Sequence, residues 1–109
     1  MSKLDMMRGA IDEIDAQIVH LFERRMNVTQ QVGEYKQANH MPVLDNLRQR
    51  EVLEGKVALL QNPSLGADVT MLYETIMGIS RRQQRKIVRE GAEEPNFARI
   101  QRALENRRE

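Results

Sequence analysis

The chain has no cysteine, no tryptophan, only three prolines in 109 residues, and aromatics at 4%. Without cysteine there is no disulfide framework and no thiolate metal site. Two histidines, His20 and His40, are too few and too far apart for a zinc site. No apolar run approaches the roughly 18 residues that a membrane span needs, and no secretory leader opens the sequence. A strong charge of one sign is missing too. Seventeen Lys and Arg against sixteen Asp and Glu leave +1, so no bulk field calls for nucleic acid. Strand-like alternation, internal repeats and low-complexity tracts are all lacking. These absences predict one small soluble, cytoplasmic domain with no membrane or nucleic-acid partner.

What is present favours helix. Charged residues make up 30% and hydrophobics 40%, rich in Leu, Ile, Met, Glu, Arg and Gln. From Leu4 to Gln37 the apolar period is helical and no proline intervenes. Such a segment makes a rod of roughly 50 Å, whereas a compact 100-residue domain has a radius of gyration of about 13 Å. A helix that long overhangs its own fold, which predicts packing against a second copy. Pro42 then forbids continuation. A second helix is expected from Asp45, at or near its cap, to Leu60. Asn62-Pro63-Ser64-Leu65-Gly66 reads as a turn. A third helix is expected from near Asp68 to Arg89, stopped by Gly91, with Val69, Leu72, Tyr73, Ile76, Met77 and Ile87 on its apolar stripe. Gly78 marks a close packing contact or a weak spot. Residues 1–90 are expected to form the helical domain. Residues 91–109, broken by Glu93-Glu94-Pro95, form a tail, a linker, or a short helix on Phe97, Ile100 and Leu104. The fold class is all-α.

Several polar residues interrupt the apolar stripes. A seam with a seven-residue repeat runs Ile11, Ile18, Arg25, Val32, with Ile14, Leu21, Val28 and Tyr35 between. Burying that seam carries the Arg25 guanidinium inward, where an isolated charge is costly. A bound anion or a carboxylate on a neighbouring helix must meet it. Lys36 follows eleven residues later, about 20° off in phase, and so projects from the same face; complementing the helix dipole is its plainer role. Ser80 and Gln84, four apart, share the core face of the third helix, although a mid-helix serine often bonds back to its own backbone. Asp45 suits a helix cap, and Arg48 and Gln49 sit over the same first turn, where a solvated charged turn is the plain alternative. Arg8 lies about 260° from Arg25 in phase, so one straight helix cannot aim both into one pocket. This set holds cations, hydroxyls and amides, and no nucleophile–base pair. It suits a small dianion and a reaction needing charge stabilisation without proton transfer.

The series Arg8, Ile11-Asp12-Glu13-Ile14-Asp15, Arg25, Val32-Gly33-Glu34-Tyr35-Lys36, Pro42-Val43-Leu44-Asp45-Asn46-Leu47-Arg48, Ser80 and Gln84 resembles the all-helical class of chorismate mutase, over about residues 4 to 88. The resemblance implies a three-helix protomer, with a long first helix and two shorter ones, intertwined with a second copy as a helical homodimer with two sites. It implies rearrangement of chorismate to prephenate in aromatic amino-acid (phenylalanine and tyrosine) biosynthesis, the shikimate pathway, with no cofactor. By the same resemblance Arg25 binds a carboxylate within its own subunit and Arg8 crosses from the partner. Lys36 and Gln84 would donate to the ether oxygen of the breaking bond, Arg48 and Ser80 would support the carboxylates, and Asp45 would lie near the ring hydroxyl. One position departs from the family pattern: Gln49 stands where glutamate is usual. The expectation is retained activity with a weaker, neutral-acceptor grip on the ring hydroxyl.

Three other readings compete. An isochorismate-pyruvate lyase on the same scaffold shares the dianion clamp and the lysine. A non-catalytic dimerisation or regulatory module of a shikimate-pathway enzyme would keep the fold without turnover. A coiled-coil adaptor is disfavoured because Arg25 spoils its seam. The resemblance also implies that a fused pathway domain, such as prephenate dehydratase, can follow the tail.

Overall fold

A computed structural model describes residues 2–93. Its elements are α1 (Lys3–Ala38), α2 (Asn46–Ala58), a single 3-10 turn (Pro63–Leu65) and α3 (Gly66–Glu93). No strand occurs among the described residues, so the protein is all-α.

Each boundary has a local cause. Ser2 opens α1 with a capping box: its hydroxyl accepts from Asp5 N at 3.1 Å while the Asp5 carboxylate accepts from Ser2 N at 3.3 Å. α1 ends at Ala38, four residues before Pro42. His40 takes a left-handed conformation (φ 54°), His40 N donates to Gln37 O and Met41 N to Lys36 O at 2.8 Å. This is the two-bond closure that usually ends in glycine. Asp45 caps α2, accepting from Arg48 N at 3.0 Å, in agreement with the sequence. Asn62 caps the 3-10 turn with Pro63 in its first position.

α3 departs from expectation at both ends. It starts at Gly66 and continues through Gly91 to Glu93. Gly91 is therefore not a stop. A Cβ there would lie 2.5 Å from Gln37 Nε2, so the missing side chain lets α3 run close beside the end of α1. The expected breaker after Glu93 and the Phe97–Ile100–Leu104 segment lie outside the described residues.

α1 and α3 run side by side in the same direction, pairing Arg25 with Ser80, Thr29 with Gln83 and Lys36 with Gln84. α2 returns against α3, with Gln49 meeting Arg81 and Lys56 lying over the Tyr73 ring at 5.8 Å. Gly33 is the one buried residue of α1. A Cβ on it would lie 2.9 Å from Ile87 Cδ1 and 3.1 Å from Gln84 Cγ.

The face of α1 that α3 covers is not the heptad seam. The covered and half-covered positions are Phe22, Arg25, Met26, Thr29, Gly33, Lys36 and Gln37, a stripe at helical spacing beside the seam. Ile11, Ile14, Ile18 and Leu21 stay 54–58% exposed, and Tyr35 is also exposed. Every residue from Ser2 to Leu21 is exposed. Leu72, expected on the core stripe of α3, is exposed as well, and Met77 is the buried hydrophobic core. The outline is elongated, 64 × 37 × 18 Å, and none of the described residues packs on the first half of α1.

The α1–α3 approach predicts opposite outcomes for one substitution at two glycines. Gly33→Ala gains about 1 kcal/mol of helix propensity but forces overpacking costing about 1–3 kcal/mol. We expect a net loss of stability and a displaced Gln84, read as a lower denaturant midpoint. Gly55→Ala, with nothing within 4 Å of the new Cβ, should raise the midpoint.

Candidate active site

The three helices enclose a cavity of about 350 Å³, within the usual range for small-molecule sites. Arg25, Lys36, Asp45, Arg48, Gln49, Ser80 and Gln84 all line it. The sequence placed every one of these in the site. Val28, Val32, Val43, Val52 and Met77 supply apolar wall. Arg8 does not reach it: it lies seventeen residues before Arg25, roughly 25 Å back along the helix, and is exposed.

Two buried polar side chains from α3 organise the site. Ser80 is 4% exposed and Gln84 6%. The Ser80 hydroxyl donates to Ile76 O at 3.1 Å, the back-bond expected of a mid-helix serine. Its single proton is thereby committed, and its lone pairs accept from Arg25 Nη1 at 2.6 Å. Arg25 is thus held by a neutral oxygen. Among the described residues the ion pairs are His20–Glu23 and Arg48–Glu51, at 3.9 Å each. Neither brings a carboxylate to Arg25, so no neighbouring helix among the described residues supplies one.

Lys36 Nζ donates to Val43 O at 2.8 Å and to Gln84 Oε1 at 3.2 Å. An ammonium has three donors, so one N–H remains. Because lysine only donates, it fixes the orientation of the Gln84 amide, whose Nε2 becomes a donor. No protein acceptor among the described residues engages that Nε2. A buried donor without a partner is costly, and here it lies beside the remaining Lys36 N–H. The left-handed turn at His40 brings the Val43 carbonyl back to Lys36. The lysine's role is therefore more than helix-dipole complementation.

Asp45 is the one acidic residue on the cavity wall, and its Oδ1 accepts from Arg48 N in the α2 cap. Gln49 Oε1 accepts from Arg81 Nη1 at 2.8 Å, a partner that the sequence did not foresee; a carbonyl oxygen has a second lone pair, so it can still accept from a ligand.

Sequence reasoning missed three features: Thr29, Arg81 and the Val43 carbonyl. Thr29 lies four residues after Arg25 and four before Gly33, so the helical period carried a signal for it. Arg81 reads in sequence as half of a solvated Arg81-Arg82 pair, and a backbone carbonyl leaves no trace in residue identity.

The arrangement is a helical pocket of fixed cations and amide donors around apolar walls. Such an arrangement can hold a small anion and stabilise developing negative charge. A family model described as chorismate mutase type II matches residues 7–85, and the chain belongs to that family, whose members are isomerases. Among curated proteins no match is found. No helix among the described residues is long and apolar enough to cross a membrane.

Ser80→Ala should leave Arg25 without its oxygen partner. Bonds to charged groups are worth about 1.5–3 kcal/mol, so we expect kcat/KM to fall roughly 10- to 100-fold while helicity by circular dichroism is retained.

Proposed function

We propose that this pocket rearranges chorismate to prephenate by electrostatic preorganisation, without a covalent intermediate or proton transfer. The observation that carries the reading is the pair formed by Lys36 and Gln84: two fixed donors side by side, each with an N–H that no described protein group accepts. In the transition state the C–O bond lengthens and negative charge gathers on the ether oxygen. Donors already aimed at that oxygen need no reorganisation, and one is typically worth about 3–4 kcal/mol. Arg25, braced by Ser80, binds one carboxylate of the substrate in bidentate fashion, and Arg48 supports the carboxylates from α2. Holding both carboxylates keeps a flexible substrate in its folded, reactive shape. Asp45 shapes the edge near the ring hydroxyl mainly through the α2 cap. The family's pathway, aromatic amino-acid biosynthesis in the cytoplasm, supplies the physiological setting.

The working unit is a homodimer. The exposed seam from Ile11 to Leu21 is a large apolar surface of a kind that soluble chains cover. An unsupported helix of that length is marginal in water. A second copy packed along it buries the seam and brings its own Arg8 toward the pocket, a position that no residue of the same α1 can fill. A fused pathway domain after residue 93 is compatible with this assembly.

The decisive assay mixes the full chain with chorismate and identifies the product, with Arg25→Ala as control and isochorismate in parallel. Prephenate formation that depends on Arg25 is expected. Cleavage of isochorismate alone would select the lyase. Turnover of neither by a folded dimer would select a regulatory module. Arg8→Ala and Arg25→Ala should each lose most activity as dimers, and co-refolding the two should restore part of it, since a heterodimer rebuilds one intact site. No recovery in proven heterodimers would sink the shared site.

A further inference from the structure

Arg81 is a fourth cation on the cavity wall, beside Arg25, Lys36 and Arg48. Ser80 and Arg81 are consecutive on α3 yet reach opposite walls: Ser80 holds Arg25 of α1, and Arg81 is held by Gln49 of α2. Its side chain passes over the open face of Gly78, where a Cβ would lie 3.7 Å from Arg81 Nη2. A neutral amide oxygen fixes Arg81 Nη1, and neither ion pair among the described residues involves Arg81. The guanidinium is therefore oriented without being neutralised. Gln49 Oε1 keeps one lone pair beside the bond from Arg81, and its amide N–H groups add donors. This end of the cavity thus presents a fixed guanidinium together with a neutral amide.

We infer that Arg81 is a substrate-binding residue of this pocket, a third guanidinium that the same subunit supplies beside Arg25 and Arg48, with Gln49 as its positioning residue. The inference rests on the reading of the cavity as a dianion site. It also accounts for glutamine at position 49. A glutamate there would pair with Arg81 through a charge-assisted bond and cancel the charge that the ligand meets.

The test compares the full-length chain with Arg81→Met, Gln49→Glu and Arg25→Ala. It measures binding of a non-reacting bicyclic ether dicarboxylate and of its monoester, at low and moderate salt, together with KM for chorismate and Tm. Arg81→Met should weaken dicarboxylate binding about tenfold and flatten its salt dependence, since one cation fewer is screened. It should raise KM more than it lowers kcat. Gln49→Glu should raise Tm, because the α2–α3 tie becomes charged, and at the same time weaken the dicarboxylate several-fold. A merely structural tie gives the reverse pattern: Arg81→Met lowers Tm with affinity and salt dependence unchanged, and Gln49→Glu binds as tightly as the unaltered chain. That result overturns the inference alone, provided that binding still needs Arg25. Absence of dicarboxylate binding in the unaltered chain, or binding that ignores Arg25, overturns the dianion-site reading and this inference with it.

Discussion

The close approach of α1 and α3 at Gly33 is the constraint on which the site depends. A side chain at that position would collide with Ile87 and with the stem of Gln84. Without one, the helices lie near enough for Arg25 to reach Ser80 and for Lys36 to reach Gln84. Both contacts tie a cation on α1 to a neutral oxygen on α3. A carboxylate in either place would hold the cation equally well and spend its charge. Neutral partners orient the guanidinium and the ammonium without cancelling their charge.

The same economy extends to Arg81 but not to Arg48, whose guanidinium lies 3.9 Å from the Glu51 carboxylate. Asp45, the one acidic residue on the cavity wall, is turned to capping α2. Gln49 holds Arg81 as Ser80 holds Arg25. The left-handed turn at His40 folds the chain back so that the Val43 carbonyl takes a second Lys36 proton. An L-residue in that conformation is strained by roughly 1–2 kcal/mol, and the turn it makes is what completes the lysine's environment. Fold and site are thus one set of contacts. The polar pairs that order the cavity are also the ones that join α1 and α2 to α3, since Met77 is the only buried hydrophobic residue among those described.

Most of the fold was legible from local signals. Helical period, Pro42, the Asp45 cap and the Asn62-Pro63 turn located three helices to within a few residues. Seven of the eight expected site residues meet in one cavity; Ser80 and Gln84 interrupt a stripe that does turn inward, whereas the seam that singled out Arg25 stays exposed beside the covered face. The failures are equally local in origin. Gly91 was expected to stop α3, since glycine usually marks a helix end; here it relieves a contact with Gln37 from a different helix. The seam that looked like the core of α1 lies beside the stripe that α3 covers, because Thr29, Gly33, Lys36 and Gln37 carry no hydrophobic signal although they pack.

By itself the sequence determined the all-α class, the helix boundaries set by caps and proline, and the family, through an ordered series of residues along the chain. These rest on interactions between residues a few positions apart, which spacing records directly. Only the tertiary structure decided that Arg25 is braced by a hydroxyl and not paired with a carboxylate, that Lys36 draws on a backbone carbonyl, and that Gln49 is engaged by Arg81. The first and last of those depend on which faces of two helices meet and at what distance, and the Lys36 contact on how the loop after α1 folds back. Contacts between residues 32 to 55 positions apart leave no periodic trace in the chain that makes them.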